Sequence, residues 1–185
     1  MTQTEQAKLT IAMDADAIRK AIRRIAHEII EQNAELSQLV IAGIPTRGVE
    51  VARRVIQHIV QIEGVEPEFG VVDVSMHRDD LATRTRMTTV EETRLPLNLD
   101  GRPMVIVDDV LFTGRSCRAA MDAVSSFGRP SRIQYAVLVD RGHRELPIHA
   151  DYVGKNLPTR ASERIRVRFE NLDGTPDSVT IVSPP

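Results

Sequence analysis

The sequence predicts an α/β fold, a mostly parallel, twisted sheet flanked by helices. Three observations carry that expectation. Short apolar runs bounded by turn residues, "QLVIAG", "FGVVDVSM", "PMVIVDD" and "RIQYAVLVD", have the composition of strands buried on both faces. Amphipathic helical segments alternate with them, the order that gives a parallel sheet. No linker, internal repeat or low-complexity tract divides the 185 residues, so a single domain over 1–185 is expected around a sizeable core.

Each element follows from its pattern. From Asp14 to Gln32, Ile18, Ile22, Ile25 and Ile29 recur at helical spacing behind a capping acid, Asp14 or Asp16. A strand from Gln38 to Gly43 comes next, then a second amphipathic helix from Val51 to Gly64. The runs Phe69 to Met76, Pro103 to Asp109 and Arg132 to Asp140 are the next strands, with a helix from about Arg115 to Phe127 between the last two. "RIRVRF", Arg164 to Phe169, alternates strictly and reads as a strand with one wet face near a sheet edge. Met1 to Thr10 and Ser183 to Pro185 read as tails. Between Met76 and Pro103 the polar stretch "HRDDLATRTRMTTVEETR" lacks periodicity, and so long a loop in a compact domain reads as a lid or a disordered excursion.

Composition works by exclusion. A formal net charge of −2 gives no global attraction to nucleic acid. Among the 24 basic residues only Lys8, Lys20 and Lys155 are lysines. Codon usage in a GC-rich genome is the bland cause of that bias, and a demand for bidentate phosphate contacts is the functional one. A single cysteine, Cys117, rules out an internal disulfide, and Met1 to Thr10 lacks the pattern of a secretion signal, so a cytoplasmic protein is expected. The longest uncharged apolar stretch, Leu36 to Thr46, is too short to span a bilayer. His27, His58, His77, His143 and His149 lack partners at metal-ligand spacing and read as structural or surface residues. Cys117 reads as a packed thiol, and Asp79 and Asp80 as either metal ligands or a solvated loop pair.

In an open parallel sheet, ligands bind beyond the carboxyl ends of the strands. Four stretches fall there: "GIPTRG" with Thr46 and Arg47, the Arg-rich loop, "VIVDDVLFTGRS", and "DRGHRELP" from Asp140 to Pro147. The third is the most informative. Thr113, Gly114, Arg115 and Ser116 lie where a strand turns into a helix, so backbone N–H groups and the helix dipole favour an anion there. The loop lacks the Lys and glycine spacing of a nucleoside-triphosphate loop, and Asp108 and Asp109 would repel a polyphosphate laid over them. Two vicinal hydroxyls, by contrast, need two acceptors held together. A ribose 5-phosphate satisfies the whole segment, with its diol over the acids and its phosphate in the cradle.

These residues resemble the type I phosphoribosyltransferases, enzymes that use phosphoribosyl pyrophosphate (PRPP) and bind it on an apolar strand, two acids and a Thr-Gly turn. The segments "RIAHEII", "GIPTRG", "RDDL", "VDDVLFTGRS", "AVLVDRGHRELPI" and "ADYVGKN" are together similar to the bifunctional branch of that family. Its members regulate pyrimidine-operon mRNA and act as uracil phosphoribosyltransferases. The resemblance implies transfer of the phosphoribosyl group from PRPP to N1 of uracil, giving UMP and pyrophosphate. It implies catalytic roles for Arg47, Asp108 and Asp109, with Mg²⁺ held indirectly, through PRPP, at Asp108 and Asp109. The implied PRPP site comprises Thr46 and Arg47 with Val105, Ile106, Val107, Asp108, Asp109, Val110, Leu111, Phe112, Thr113, Gly114, Arg115 and Ser116. A flexible loop at about 77–95 would close over the leaving group through Arg78, Arg84 or Arg86, and a small hood at about 140–160 would cover the base with Asp140, Arg141, Tyr152 and Val153. Phe112, an apolar ring where purine-using relatives place an acid, favours a pyrimidine.

For regulation, the resemblance implies leader mRNA as a partner, UMP or UTP as effectors, and a homodimer or higher homo-oligomer. Arg19, Arg23, Arg24 and His27, with Lys20 beside them on the first helix, and Lys155 form the implied RNA surface, and Arg164, Arg166 and Arg168 a second basic stripe. RNA-binding relatives often carry Thr where this chain has Arg23 and Arg where it has Gln32. Two alternatives stay open: an RNA-binding attenuation regulator with vestigial transferase activity, and a transferase for another base. A receiver-like signalling domain, where an acidic pair also ends a strand, fits poorly because no Lys follows at the required place.

Overall fold

The computed structural model describes residues 8–75 and 92–184. Five strands, β2 (Val40–Gly43), β3 (Glu68–Val71), β4 (Pro103–Leu111), β5 (Arg132–Asp140) and β6 (Tyr152–Asn156), form one sheet in the order β3-β2-β4-β5-β6, every neighbouring pair parallel. Helices α1 (Ala15–Gln32) and α2 (Arg47–Glu63) cover one face, and α3 (Arg115–Ser125) covers the other. The expected architecture is therefore the observed one. Alternation along β4 divides the cores: Val105 and Val107 pack with α1 and α2, while Met104 and Ile106 pack with α3.

Local chemistry sets the helix ends. The Asp14 carboxylate caps α1 by accepting from the Ala17 N–H at 2.8 Å, and Ile18, Ile22, Ile25 and Ile29 are buried beneath. Gly64 ends α2 in the left-handed conformation, its N–H donating to the Val60 carbonyl. No helix among the described residues is long and apolar enough to cross a membrane.

The structure departs from the sequence expectations at several places. The second helix begins at Arg47, not Val51, which puts Thr46 at its N-cap and Arg47 in its first turn. The strand expected at Phe69 to Met76 is only Glu68–Val71, and β4 continues past both acids to Leu111. Residues 140–160 do not form a separate unit; they hold β6, which joins the parallel sheet as its edge strand, and the loop before it. A second, three-stranded antiparallel sheet is built instead from the two ends of the chain, in the order β1 (Lys8–Met13), β8 (Ser178–Ser183), β7 (Arg164–Arg168). Both expected tails thus contribute strand residues, paired Lys8 to Ser183. Strand β7 is an edge, as its alternation implied, with Arg164 and Arg166 exposed and Val167 buried. Met13, Val167, Phe169 and Val179 fasten this small sheet to the core beneath α1 and α2.

Candidate active site

Strand order reverses between β2 and β4, because the chain passes from β2 to β3 on one side and returns to β4 on the other. A crevice opens beyond the strand ends at such a point. Gly43 pairs with Val107 across it, and the Ile44 N–H donates to the Val107 carbonyl at 2.9 Å, so the 44–47 loop is pinned beside Asp108. The Pro45–Thr46 peptide in that loop is cis. Gly48 lets α2 reach the same carbonyl: a Cβ there would lie 2.5 Å from the Val107 oxygen.

The two acids stand at the floor of this crevice. Asp108 is buried, and its carboxylate accepts from the Tyr135 hydroxyl at 3.3 Å, while Asp109 is half-buried on the other side of the strand, toward Arg47. Burial, then the negative charge of Asp109, holds the Asp108 carboxyl well above the usual carboxylate range. Asp109 is raised less simply: burial pushes it up, while its hydrogen bond to Asp108 and the positive charge of Arg47 pull it down. The pair therefore retains a proton to higher pH than separate carboxylates would, with Asp109 the better placed to carry the charge. Arg47 is itself anchored, donating from Nε to the Val167 carbonyl at 2.7 Å and from Nη2 to Asp173 at 2.6 Å.

At the far end of the crevice Gly114, with φ of 94°, turns β4 into α3 and sits under Leu146 and Ile148. The 11-residue helix α3 therefore starts directly after the strand that carries the acids, with the Arg115 N–H donating to the Thr113 hydroxyl at 3.4 Å, and a helix N-terminus favours an anion. Thr113 is held by its carbonyl, which accepts from the Glu145 and Leu146 N–H groups. Cys117, behind this turn, is buried, and burial followed by the charges of Asp108 and Asp151 pushes its thiol up to about 12, in keeping with a packed thiol. Phe112 exposes its ring beside the turn, with the Arg141 guanidinium 4.1 Å from the ring centroid and His143 edge-on at 5.9 Å.

The structure thus brings together Thr46, Arg47, Asp108, Asp109, Phe112, Thr113, Gly114 and the first turn at Arg115 and Ser116. Other expected site residues lie elsewhere. Val105, Ile106 and Val107 are fully buried core residues, Leu111 is buried in the core under α3, and Val110 packs on the core of the opposite face. The Arg115 side chain pairs with Glu145 at 2.8 Å, so the turn offers its backbone more than that charge. Tyr152 does not cover the crevice: it is 2% exposed at the start of β6, and its hydroxyl accepts from Gln134 at 2.7 Å. Val153 gives its carbonyl to Arg24, and Asp140 spends its carboxylate on the Gly142 N–H and Arg144. Arg141 borders the crevice through Phe112, but its N–H groups go to Thr159 and to the Arg160 and Glu163 carbonyls. Arg78, Arg84 and Arg86, with His77, Asp79 and Asp80, lie outside the described residues. Tyr135, Arg144 and Asp173 were missed, since each acts across a long sequence separation that no local pattern displays.

The expected RNA surface is also redrawn. Arg24 donates to the Val153 and Gly154 carbonyls and so secures α1 to the β6 edge. Arg19 and Lys20 both pair with Asp16, and Lys155 reaches the Ala12 carbonyl at 3.2 Å. Arg23 and His27 remain exposed on the same helix; burial, and after it the charges of Arg23, Arg19 and His27, depress the His58 imidazole on α2.

Comparison with known proteins agrees with this geometry. Residues 13–169 match the family model described as a phosphoribosyl transferase domain. A bifunctional protein PyrR from Roseiflexus sp. strain RS-1 is 52% identical over 170 residues, covering 92% of this chain and 93% of that protein. Another from Deinococcus radiodurans is 50% identical over 177 residues, covering 96% of each. Among solved structures, a hypoxanthine-guanine phosphoribosyltransferase from Bacillus anthracis superposes with a TM-score of 0.70 over 96% of this chain and 99% of that one, and at 16% identity it speaks to the fold alone. With its crevice, its acid pair and its family match in agreement, the chain belongs to the bifunctional PyrR family of phosphoribosyl transferases.

Proposed function

We propose that this chain transfers the phosphoribosyl group of PRPP to N1 of uracil, forming UMP and pyrophosphate, and that it also binds pyrimidine-operon leader mRNA in response to UMP or UTP. The single observation that carries the enzymatic half is the acid pair standing between the Arg47 loop and the Gly114 turn at the strand-order reversal. Departure of pyrophosphate leaves positive charge on the ribose, so the catalyst must hold the sugar, meet the leaving anion and keep the base near. The amides of the Gly114 turn receive the 5-phosphate. Asp109 accepts from the ribose diol, and Asp108, buried beside it, orients the diol from below. Thr46, whose hydroxyl makes no capping bond in α2, and Arg47 receive the pyrophosphate. The exposed ring of Phe112, backed by Arg141, takes one face of the base.

The donor set suits Mg²⁺ that arrives with its substrate. Among the described residues no group of three or more His, Cys, Asp or Glu side chains stands ready to hold a metal. Asp108 and Asp109 touch the substrate's hydroxyl side, and a hard cation takes oxygen ligands, which pyrophosphate and ribose supply. When bound, Mg²⁺ neutralises charge on the departing pyrophosphate.

We assign the base-covering role, expected at 140–160, to the three-stranded sheet, whose β7 carbonyl at Val167 already touches Arg47. The RNA surface centres on Arg23 and His27, and a homodimer would join two such faces. Pyrophosphate release measured with PRPP and, in turn, uracil, hypoxanthine, guanine and orotate tests the reading. Uracil should turn over fastest; a faster purine, or no turnover with any base, overturns it.

A further inference from the structure

Arg47, given the pyrophosphate above, owes its position to an element remote in sequence. Helix α4 (Glu170–Asp173) follows β7 in the small sheet, and its last residue, Asp173, is the only carboxylate among the described residues recorded in an ion pair with Arg47. One Asp173 oxygen accepts from Arg47 Nη2 at 2.6 Å, and the other accepts from the Phe169 N–H at 2.9 Å. Phe169 is fully buried, and Asp177 and Arg54 close the next turn of chain: Asp177 accepts from the Glu170 N–H at 2.8 Å and pairs with Arg54, which lies over the Phe169 ring. The carboxylate that grips Arg47 is therefore fastened to a rigid, buried anchor. The Val167 carbonyl takes Nε of the same guanidinium, so two neighbouring N–H groups on one edge of a planar fork are fixed by the small sheet. Arg47 is also close enough to the acids that its positive charge lowers the Asp109 carboxyl.

We propose that Asp173 is a positioning residue for Arg47: it holds the guanidinium by one edge so that the other is presented to the pyrophosphate, coupling the small sheet to the crevice. The proposal rests on the role given to Arg47 above. Nothing in the local sequence marks Asp173, since 126 residues separate it from its partner. A side chain that only secured the α4 turn would, when removed, lower stability and affect both substrates alike. A side chain that aims Arg47 would matter for PRPP and not for the base.

The test is a double-mutant cycle on pyrophosphate release, with Arg47→Ala, Asp173→Ala and the pair combined, and with Asp173→Asn as the milder variant should the alanine not fold. Asp173→Ala is expected to raise KM for PRPP about tenfold and leave KM for uracil unchanged. In the Arg47→Ala background the same change should have no further effect, because the group it positions is gone. Equal losses in both backgrounds, or equal shifts in both KM values, would show that Asp173 acts independently and overturn the proposal. Wild-type turnover in Arg47→Ala would instead remove the role of Arg47 itself, a distinct failure that takes this proposal with it.

Discussion

Gly48→Ala tests whether the approach of α2 to β4 sets the geometry of the crevice. The added methyl would stand 2.5 Å from the Val107 carbonyl oxygen and 3.0 Å from the Asp108 Cα, where ordinary contact begins at 3.4 Å. Both neighbours are backbone in the centre of a parallel sheet and cannot rotate away. The start of α2 must therefore retreat by about 0.9 Å, carrying Thr46 and Arg47 away from Asp108 and Asp109. Alanine recovers about 1 kcal/mol of helix propensity, whereas forcing a methyl into a packed site costs about 1–3 kcal/mol. The net loss is about 0–2 kcal/mol, a fall in Tm of no more than roughly 8 °C for a chain of this size. The catalytic loss should be larger, because a misplacement of about 1 Å in a reacting constellation costs on the order of 100-fold. Thermal unfolding and steady-state pyrophosphate release read the two effects separately. A folded Gly48→Ala protein with wild-type kcat/KM for PRPP would refute the claim that this contact places the loop.

Three further outcomes are expected. The acid pair titrates above its unfolded value, so between the ordinary carboxylate range and the raised one the folded state holds more protons than the unfolded state, and stability contributed by the pair falls as pH rises through that window. Asp108→Asn should flatten that decline in Tm above the ordinary carboxylate range, and an unchanged slope would contradict the burial assigned to the pair. On α1, Arg24→Ala should lower stability by about 1 kcal/mol through its two lost carbonyl contacts. Arg23→Ala should leave stability alone and weaken binding to the leader RNA in a gel shift with a salt titration; equal RNA affinity in Arg23→Ala would exclude that face.

The strands and the crevice were legible because their determinants are local. A continuous apolar run needs no partner to be recognised, and "DDVLFTG" carries its acids, turn and helix start within seven residues. What escaped was non-local. Strands β1 and β8 meet only when the ends of the chain come together, so neither segment betrays its pairing. Tyr152 was misread because an aromatic residue in a base-covering segment looks the same in sequence as one that begins an edge strand; it lies two strands from β4, buried, with its hydroxyl accepting from Gln134. Arg24 looked like a free surface charge, and only the packing of α1 against β6 reveals the carbonyls it satisfies. Arg47 could be read from its place after a strand, yet the Asp173 that holds it lies beyond any motif.

The most direct measurement of the central claim is a crystal structure of the protein with PRPP and Mg²⁺. The account predicts the 5-phosphate on the amides of the Gly114 turn, the ribose hydroxyls on Asp109 and the pyrophosphate against Thr46 and Arg47. PRPP bound at another surface, with the Asp108–Asp109 crevice left unoccupied, would contradict it.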